Sequence, residues 1–220
     1  METVKTIQSI LVAESDAIQN IPINEYDYEM AINVIDSHVH NLGGKLVTSG
    51  MGKAGEIARN LATTFCSTGT PAVFLHPGEA QHGDLGILQG KDVLLLISNS
   101  GETRELIELI ELKDELLQSI PIILITSALD SPLTKMADSI LLTGNPKEVC
   151  PLGLTPTTST TTMSVIGDIL VVLMMKKIEF TAEAYYKRHH GGYLGQKAWW
   201  LFRTESKRIK IKIIWQQFQA

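Results

Sequence analysis

The sequence of 220 residues contains few cysteines, few aromatic residues and no excess of positive charge. Its two cysteines, Cys66 and Cys150, do not have the spacing of metal ligands, so neither a disulfide framework nor a zinc module is indicated. A formal net charge of -5 provides no basic surface for DNA or RNA, and we expect no nucleic-acid partner. The 44% hydrophobic content with only 6% aromatic residues is typical of an aliphatic α/β core.

Long hydrophobic runs are also missing. The longest apolar stretch, residues 163–175, contains Asp168 and is shorter than the about 20 apolar residues that cross a bilayer, so we expect a buried helix and no membrane association. The N-terminus does not join basic residues to an apolar segment as a signal peptide does, and we expect a cytoplasmic protein. We expect one domain over residues 1–200, N-terminal helices included, followed by a tail of unknown role at 201–220.

Five short β-prone runs alternate with helical patterns along the middle of the chain. Helical patterns lie at about residues 54–67, 102–117 and 132–137, and two further helices precede the first strand. Strands that alternate with helices form parallel sheets, so we predict an α/β fold with a five-stranded parallel sheet and ligands at its carboxyl edge. We also expect the threonine-rich run at 157–162 to begin a helix. The predicted strands are residues 45–49, 70–76, 92–98, 121–126 and 139–143.

The third predicted strand ends in a loop of small polar residues. Ser98, Asn99, Ser100 and Thr103 surround Gly101, and a helical pattern follows at once. Free N–H groups at a helix start, together with the positive end of the helix dipole, bind an anion the size of phosphate. An ordinary serine N-cap is the alternative, but it needs one such residue rather than four. We therefore predict that this loop binds phosphate.

The first predicted strand runs into residues 50–55, which satisfy the dinucleotide pattern G-x-G-x-x-G. A dinucleotide site also needs an acidic residue near the end of the second strand, where the sequence instead has His76 and Pro77. We predict that this loop contacts the substrate through Gly52, and that Lys53 neutralises a phosphate or a developing enediolate. The alternative is that Lys53 is a solvated surface lysine.

Taken together and in this order, these motifs resemble the sugar isomerase (SIS) domain of arabinose-5-phosphate isomerases. The resemblance extends from about Ile7 to Gly195. It implies a three-layer α-β-α sandwich, a homotetramer, no required cofactor, and interconversion of D-ribulose 5-phosphate and D-arabinose 5-phosphate, which supplies Kdo for lipopolysaccharide or capsule. The motifs are GMGKAG, STGTPAVFLHPGEAQHGDLG, SNSGET, KEVCPLGLTPTTSTT and HHGG.

The resemblance also implies site residues. Lys53, Glu105, Glu148 and His189 match the family's catalytic positions, and His82 matches a position where the family can bind an inhibitory metal. Aldose–ketose isomerisation moves one proton between C1 and C2 and another between the two oxygens, tasks that suit carboxylates and histidine. We expect burial to raise the pKa of Glu148 into the working range. A carboxylate that only complements the dipole of its helix is the alternative for Glu105.

The sequence departs from the family pattern at several positions. Ala54 replaces a serine that usually follows the loop lysine, and the family's His-Pro-Gly-Gly reads His-His-Gly-Gly, which leaves His190 as an alternative to His189. We find no segment like the paired CBS domains common in the family and expect none. We therefore expect the end product CMP-Kdo to inhibit by binding the same cavity as the substrate. Residues 208–214 alternate charge with isoleucine, which is typical of an edge strand or a subunit contact.

Two other functions fit parts of the pattern. SIS domains also serve as non-catalytic sugar-phosphate-binding modules in transcriptional regulators, although the usual helix-turn-helix is not found in this sequence and its N-terminal helices are acidic. Isomerases of other sugar phosphates, including heptose and hexulose substrates, are the alternative within the enzyme class. The sequence does not determine the size of the sugar pocket.

Overall fold

Parallel strands form the centre of the computed structural model, which describes the backbone of residues 1–117 and 120–217 and the side chains of 1–117 and 120–204. Within these residues five strands form one sheet in the order β2-β1-β3-β4-β5, which confirms the predicted parallel sheet. Leu46 pairs with Val93 and Leu94 with Ile122, so the central strands are in register over their whole length. The strands are β1 (Leu46–Gly50), β2 (Ala72–Phe74), β3 (Val93–Ile97), β4 (Ile122–Thr126) and β5 (Ser139–Leu142).

Helices cover both faces of this sheet. The three central strands are buried along their entire length, because a parallel sheet with helices on both sides has no solvated face. Helices α2, α3 and α7 pack on one face, and α5 and α6 pack on the other, which makes the predicted three layers. The helices are α1 (Glu2–Gln19), α2 (Glu25–Ile35), α3 (Gly52–Ser67), α4 (Pro77–Ala80), α5 (Arg104–Leu116), α6 (Pro132–Met136), α7 (Thr158–Lys177), α8 (Ala182–Arg188) and α9 (Gly192–Gln217).

Helix α7 is a core helix, as predicted for residues 163–175. Its side chains Met163, Ile166 and Leu170 are buried in the cluster that also contains Leu61 of α3. A Cβ on Gly167 would overlap the Leu61 side chain, so glycine lets the two helices approach closely. By length and composition α7 is the one helix among the described residues that passes a test for a membrane span, and half of its apolar window is buried inside the protein.

The C-terminal helix α9 contradicts one expectation. Residues 208–214 continue a helix that begins at Gly192 and ends at Gln217, so they do not form an edge strand. The alternation of charge and isoleucine fits a strand, but extending an existing helix adds one hydrogen bond per residue without a new nucleation cost. The tail at 201–220 is therefore helical through Gln217, and residues 218–220 lie outside the described part of the chain.

Candidate active site

A cleft of about 790 Å³ opens at the carboxyl edge of the sheet. Its walls come from three segments: the loop after β1, the loop after β3, and the segment from the loop after β5 to the first turns of α7. Gly52, which we expected to contact the substrate, does not line the cleft. The lining residues are Met51, Lys53, Ala54, Ser98, Asn99, Ser100, Thr103, Asn145, Pro146, Lys147, Glu148, Gly153, Leu154, Pro156, Ser159, Thr160 and Met163. The carboxyl edge is the position at which parallel α/β sheets bind ligands. The cleft therefore brings together Lys53, the polar loop and Glu148, which are far apart in the sequence.

The loop after β3 is held in shape by its own hydroxyl groups. The Oγ of Ser98 lies 2.7 Å from the Oγ1 of Thr103 and accepts a hydrogen bond of 3.1 Å from the backbone N–H of Gly101. Ser98, Asn99, Ser100 and Thr103 all line the cleft, with Asn99 and Ser100 exposed to it. Four polar side chains are thus brought together on one wall of the cleft.

Gly101 has a structural role in this loop and does not line the cleft. It is buried with φ of 67°, a conformation that side chains disfavour, and a Cβ there would overlap Ser131 at the start of α6. Its carbonyl oxygen accepts a hydrogen bond of 3.1 Å from the N–H of Leu133. The glycine therefore fixes the loop against α6 so that the polar side chains face the cleft.

Lys53 lies in the first turn of α3, exposed and on the wall of the cleft. Gly52 has φ of 55°, a conformation that side chains disfavour, whereas Gly55 is closely packed: a Cβ on it would stand 2.5 Å from the carbonyl oxygen of Gly50. At the end of β2, His76 accepts a hydrogen bond from the N–H of Gly78 and caps α4. The acidic residue that a dinucleotide needs is not at this position.

Glu148 is half-buried on the cleft wall and bonds to the start of α7. Its Oε2 accepts hydrogen bonds from the backbone N–H of Thr157 at 2.6 Å, the Oγ1 of Thr157 at 2.7 Å and the N–H of Ser159 at 3.4 Å. Burial alone would raise the pKa of the Glu148 carboxyl, but the hydrogen bonds from Ser159 and Thr157 outweigh it, and the pKa lies below its ordinary value. The expected raised pKa is therefore wrong, because donors at the helix start stabilise the carboxylate.

Two of the predicted catalytic residues lie outside the cleft of this chain. Glu105 is half-buried in the first turn of α5, where a carboxylate complements the helix dipole. His189 follows α8, with its ring stacked on Tyr185 at a centroid distance of 4.0 Å and its Nδ1 3.0 Å from the Tyr185 carbonyl oxygen. It lines a separate cavity beside β2, together with Arg59 and Arg188. The catalytic roles of Glu105 and His189 stay predictions.

His82 is exposed in the turn after α4. Among the described residues, no group of three or more His, Cys, Asp or Glu side chains is placed to hold a metal ion. The inhibitory metal site at His82 therefore stays a prediction.

Several residues of the cleft were not predicted from the sequence. Asn145, with φ of 52°, and Lys147 lie on the wall beside Glu148, and Ser159 and Thr160 face the cleft from the first turn of α7. A signal for Lys147 was present, because it directly precedes Glu148 in the KEVCPLG motif. The threonine-rich run correctly predicted the start of α7, but which of its hydroxyl groups face the cleft depends on how the helix packs.

The loop between Glu148 and α7 is organised around Cys150. Its Sγ accepts hydrogen bonds from the backbone N–H groups of Leu154 at 3.2 Å and Thr155 at 3.1 Å. The Thr155 N–H is the main cause of a lowered pKa of the Cys150 thiol. These bonds tie the loop back on itself and place Gly153 and Leu154 on the cleft wall.

Comparison with known proteins agrees with this geometry. The chain is 50% identical to the arabinose 5-phosphate isomerase KdsD of Escherichia coli (strain K12) over 154 residues, which are 70% of this chain and 46% of that protein. It is 39% identical to the arabinose 5-phosphate isomerase KpsF of Escherichia coli over 197 residues, which are 88% of this chain and 58% of that protein. The chain thus spans about half the length of these curated relatives.

Solved structures show the same fold. A Bacteroides fragilis NCTC 9343 protein, assigned as a phosphosugar isomerase involved in capsule formation, is 61% identical with a TM-score of 0.85, over 87% of this chain and 99% of that one. An E. coli CFT073 protein in complex with arabinose 5-phosphate is 34% identical with a TM-score of 0.77, over 84% of this chain and 95% of that one. The family model described as the SIS domain matches residues 43–173. The chain therefore belongs to the SIS domain family.

Proposed function

We propose that this protein is an aldose–ketose isomerase that interconverts D-ribulose 5-phosphate and D-arabinose 5-phosphate. The observation that carries the proposal is the meeting of Lys53, the Ser98–Thr103 loop and Glu148 in one cleft, which combines a cation, a phosphate-type loop and a carboxylate. Support comes from relatives named for this reaction and from the similar E. coli CFT073 protein in complex with arabinose 5-phosphate.

Glu148 is the base that the geometry supports best. It lies on the cleft wall, and its carboxylate is ionised near neutral pH, which is the form that takes a proton from C1 of the ketose. Returning that proton to C2 gives the aldose, while a second proton leaves O1 and another is taken up at O2. Among the described residues, Glu148 is the only carboxylate on the cleft wall.

The cations of the cleft stabilise the negative charge of the intermediate. Lys53 and Lys147 both line it, and an enediolate with charge on O2 is formed in the transfer. The hydroxyls of Ser98, Ser100 and Thr103 bind the phosphate at the far end of the substrate. A shift of protons within one molecule leaves no net oxidation, so the proposed reaction needs no redox cofactor.

The remaining proposed features concern assembly and pathway. His189 lines a cavity other than that of Lys53, which supports an assembly in which His189 reaches the cleft of a neighbouring subunit in a homotetramer. The reaction would take place in the cytoplasm, and its product would supply Kdo for lipopolysaccharide or capsule. The B. fragilis relative assigned to capsule formation supports a role in capsule biosynthesis. CMP-Kdo, with its phosphodiester and carboxylate, would compete with substrate for the cations of the cleft.

A direct assay tests the proposal. Purified protein is incubated with D-ribulose 5-phosphate, and formation of D-arabinose 5-phosphate is followed by NMR, with Glu148→Gln as the inactive control. Exchange of the transferred hydrogen with deuterated solvent would report proton transfer through the enediol. Binding of the sugar phosphate without turnover would instead identify a non-catalytic binding module, and turnover of a hexulose or heptose phosphate alone would identify another isomerase.

A further inference from the structure

We propose that Thr157 is a positioning residue for the isomerisation: it fixes one oxygen of the Glu148 carboxylate so that the other oxygen faces the substrate. This inference rests on the proposed function of Glu148 as the base. Thr157 does not line the cleft, and the sequence marks it only as part of the threonine-rich run that begins α7.

The hydrogen bonds at Glu148 are unequal between its two oxygens. Both donors of Thr157, its backbone N–H and its hydroxyl, go to Oε2, at 2.6 and 2.7 Å, and the N–H of Ser159 adds a longer bond to the same oxygen. The three hydrogen bonds that these donors make all go to Oε2, and the nearby Ser159 hydroxyl also lowers the pKa of the Glu148 carboxyl. Oε1 is therefore left for the cleft, whose wall Glu148 forms.

The hydroxyl of Thr157 is itself fixed in direction. It accepts a hydrogen bond of 3.2 Å from the backbone N–H of Val149, the residue that follows Glu148, so its proton points to Glu148. The hydroxyl thus holds both the backbone and the carboxylate of this segment. A carboxylate with one oxygen fixed in this way loses little freedom when it meets a substrate.

The role of Thr157 differs from that of an ordinary helix cap. Threonine at an N-cap usually accepts a hydrogen bond from the second or third N–H of its own helix. Thr157 is the N-cap of α7, yet its side chain makes no such bond and instead donates to Glu148. The Glu148 carboxylate takes over the capping of α7, which ties the position of the base to the start of the core helix.

Three variants test this arrangement. Thr157→Val removes the hydroxyl and keeps the backbone N–H, whereas Thr157→Ser keeps both donors. Thr158→Val is the control: it makes the same change at the next residue, whose hydroxyl donates to Glu14 instead of Glu148. The measurement is kcat and KM for ribulose 5-phosphate as functions of pH. Because donors to the carboxylate lower the pKa of Glu148, their loss raises it, and the acidic limb of kcat moves to higher pH.

We expect this limb to move up by about one pH unit in Thr157→Val, the size of one lost hydrogen bond to a charged group, with KM little changed. Thr157→Ser should match the wild type, and Thr158→Val should keep the wild-type limb even where it lowers stability. The proposal would be overturned if the acidic limb of the kcat profile stayed in place in Thr157→Val, or if it moved equally in Thr158→Val. It would also be overturned if the pH profile of Thr157→Ser differed from that of the wild type.

A second measurement does not depend on turnover. Carbon-13 NMR titration of the Glu148 carboxyl, assigned with Glu148→Gln, should give a midpoint below the ordinary value of about 4.3 in both wild type and Thr157→Ser. This result stands even when Thr157→Val does not fold. A midpoint at or above the ordinary value contradicts the proposed hydrogen bonding, whereas a low midpoint in a protein that isomerises no sugar phosphate contradicts the proposed function instead.

Discussion

Gly55 packs so tightly against Gly50 that a Cβ on Gly55 would stand 2.5 Å from the Gly50 carbonyl oxygen. This contact joins the end of β1 to the first turn of α3, the turn that carries Lys53. The pattern that resembles a dinucleotide motif is thus explained by packing of the backbone. The position of Lys53 in the cleft therefore depends on Gly55, because only glycine fits in this contact.

Gly55→Ala should therefore weaken both stability and activity. A methyl group forced against a backbone carbonyl costs about 1–3 kcal/mol, and movement of the turn that carries Lys53 should lower kcat/KM. Gly86→Ala is the matched control, because a Cβ there meets nothing within 4 Å. Denaturant unfolding and steady-state kinetics measure both effects. Wild-type stability of Gly55→Ala would mean that the turn adjusts without cost.

Ser100→Ala and Thr103→Val should weaken substrate binding more than they slow the chemistry. Their hydroxyls lie in the loop proposed to bind phosphate, remote from C1 and C2, so each loss should raise KM roughly 10-fold with kcat nearly unchanged. Ser9→Ala removes an exposed hydroxyl from α1 and serves as the control. Unchanged KM and unchanged binding of inorganic phosphate in both variants would exclude this loop from the phosphate site.

Glu148→Gln and His189→Ala should each lose at least about 100-fold in kcat while staying folded, the range expected for a missing acid or base. Glu115→Gln, an exposed carboxylate on α5, is the control for Glu148→Gln. Rapid-quench kinetics with circular dichroism on each variant separates chemistry from folding. Turnover at the wild-type rate in Glu148→Gln would remove that residue from the mechanism, and a mild defect in His189→Ala would point to His190.

Mixed subunits should show whether the site is shared. Lys53 and His189 line different cavities of one chain, so we expect His189 to act in the cleft of a neighbour. Inactive Lys53→Ala and His189→Ala proteins, unfolded and refolded together in equal amounts, should recover about a quarter of the wild-type activity, since that fraction of sites receives both intact residues. Each variant refolded alone is the control. No recovery would place both residues in one subunit.

CMP-Kdo should inhibit by competition with the substrate. Its negative groups match the cations Lys53 and Lys147 of the cleft, which we propose also bind the sugar phosphate, and binding at one shared site needs no separate allosteric site. Initial rates against ribulose 5-phosphate should show KM rising with CMP-Kdo at constant kcat, with CMP alone as the control. A fall in kcat at constant KM would place the inhibitor elsewhere.

The layered fold and the loops of the cleft could be predicted from the amino-acid sequence, because they follow from local patterns. Continuous apolar runs such as residues 93–97 identify strands buried on both faces, and a polar loop after such a strand marks the carboxyl edge of the sheet. The start of α7 in the threonine-rich run was predictable for the same reason. Each of these features is encoded within a few neighbouring residues.

The electrostatics of the site could not be predicted in the same way, because they depend on how distant segments pack together. Burial of Glu148, the effect that could be expected from the sequence, would raise the pKa of its carboxyl. The pKa falls instead, because the fold brings the carboxylate within hydrogen-bond distance of Thr157 and Ser159. The separation of His189 from Lys53 likewise depends on where α8 packs. Electrostatic effects act through space at hydrogen-bond distances, so they depend on contacts between segments that no local pattern contains.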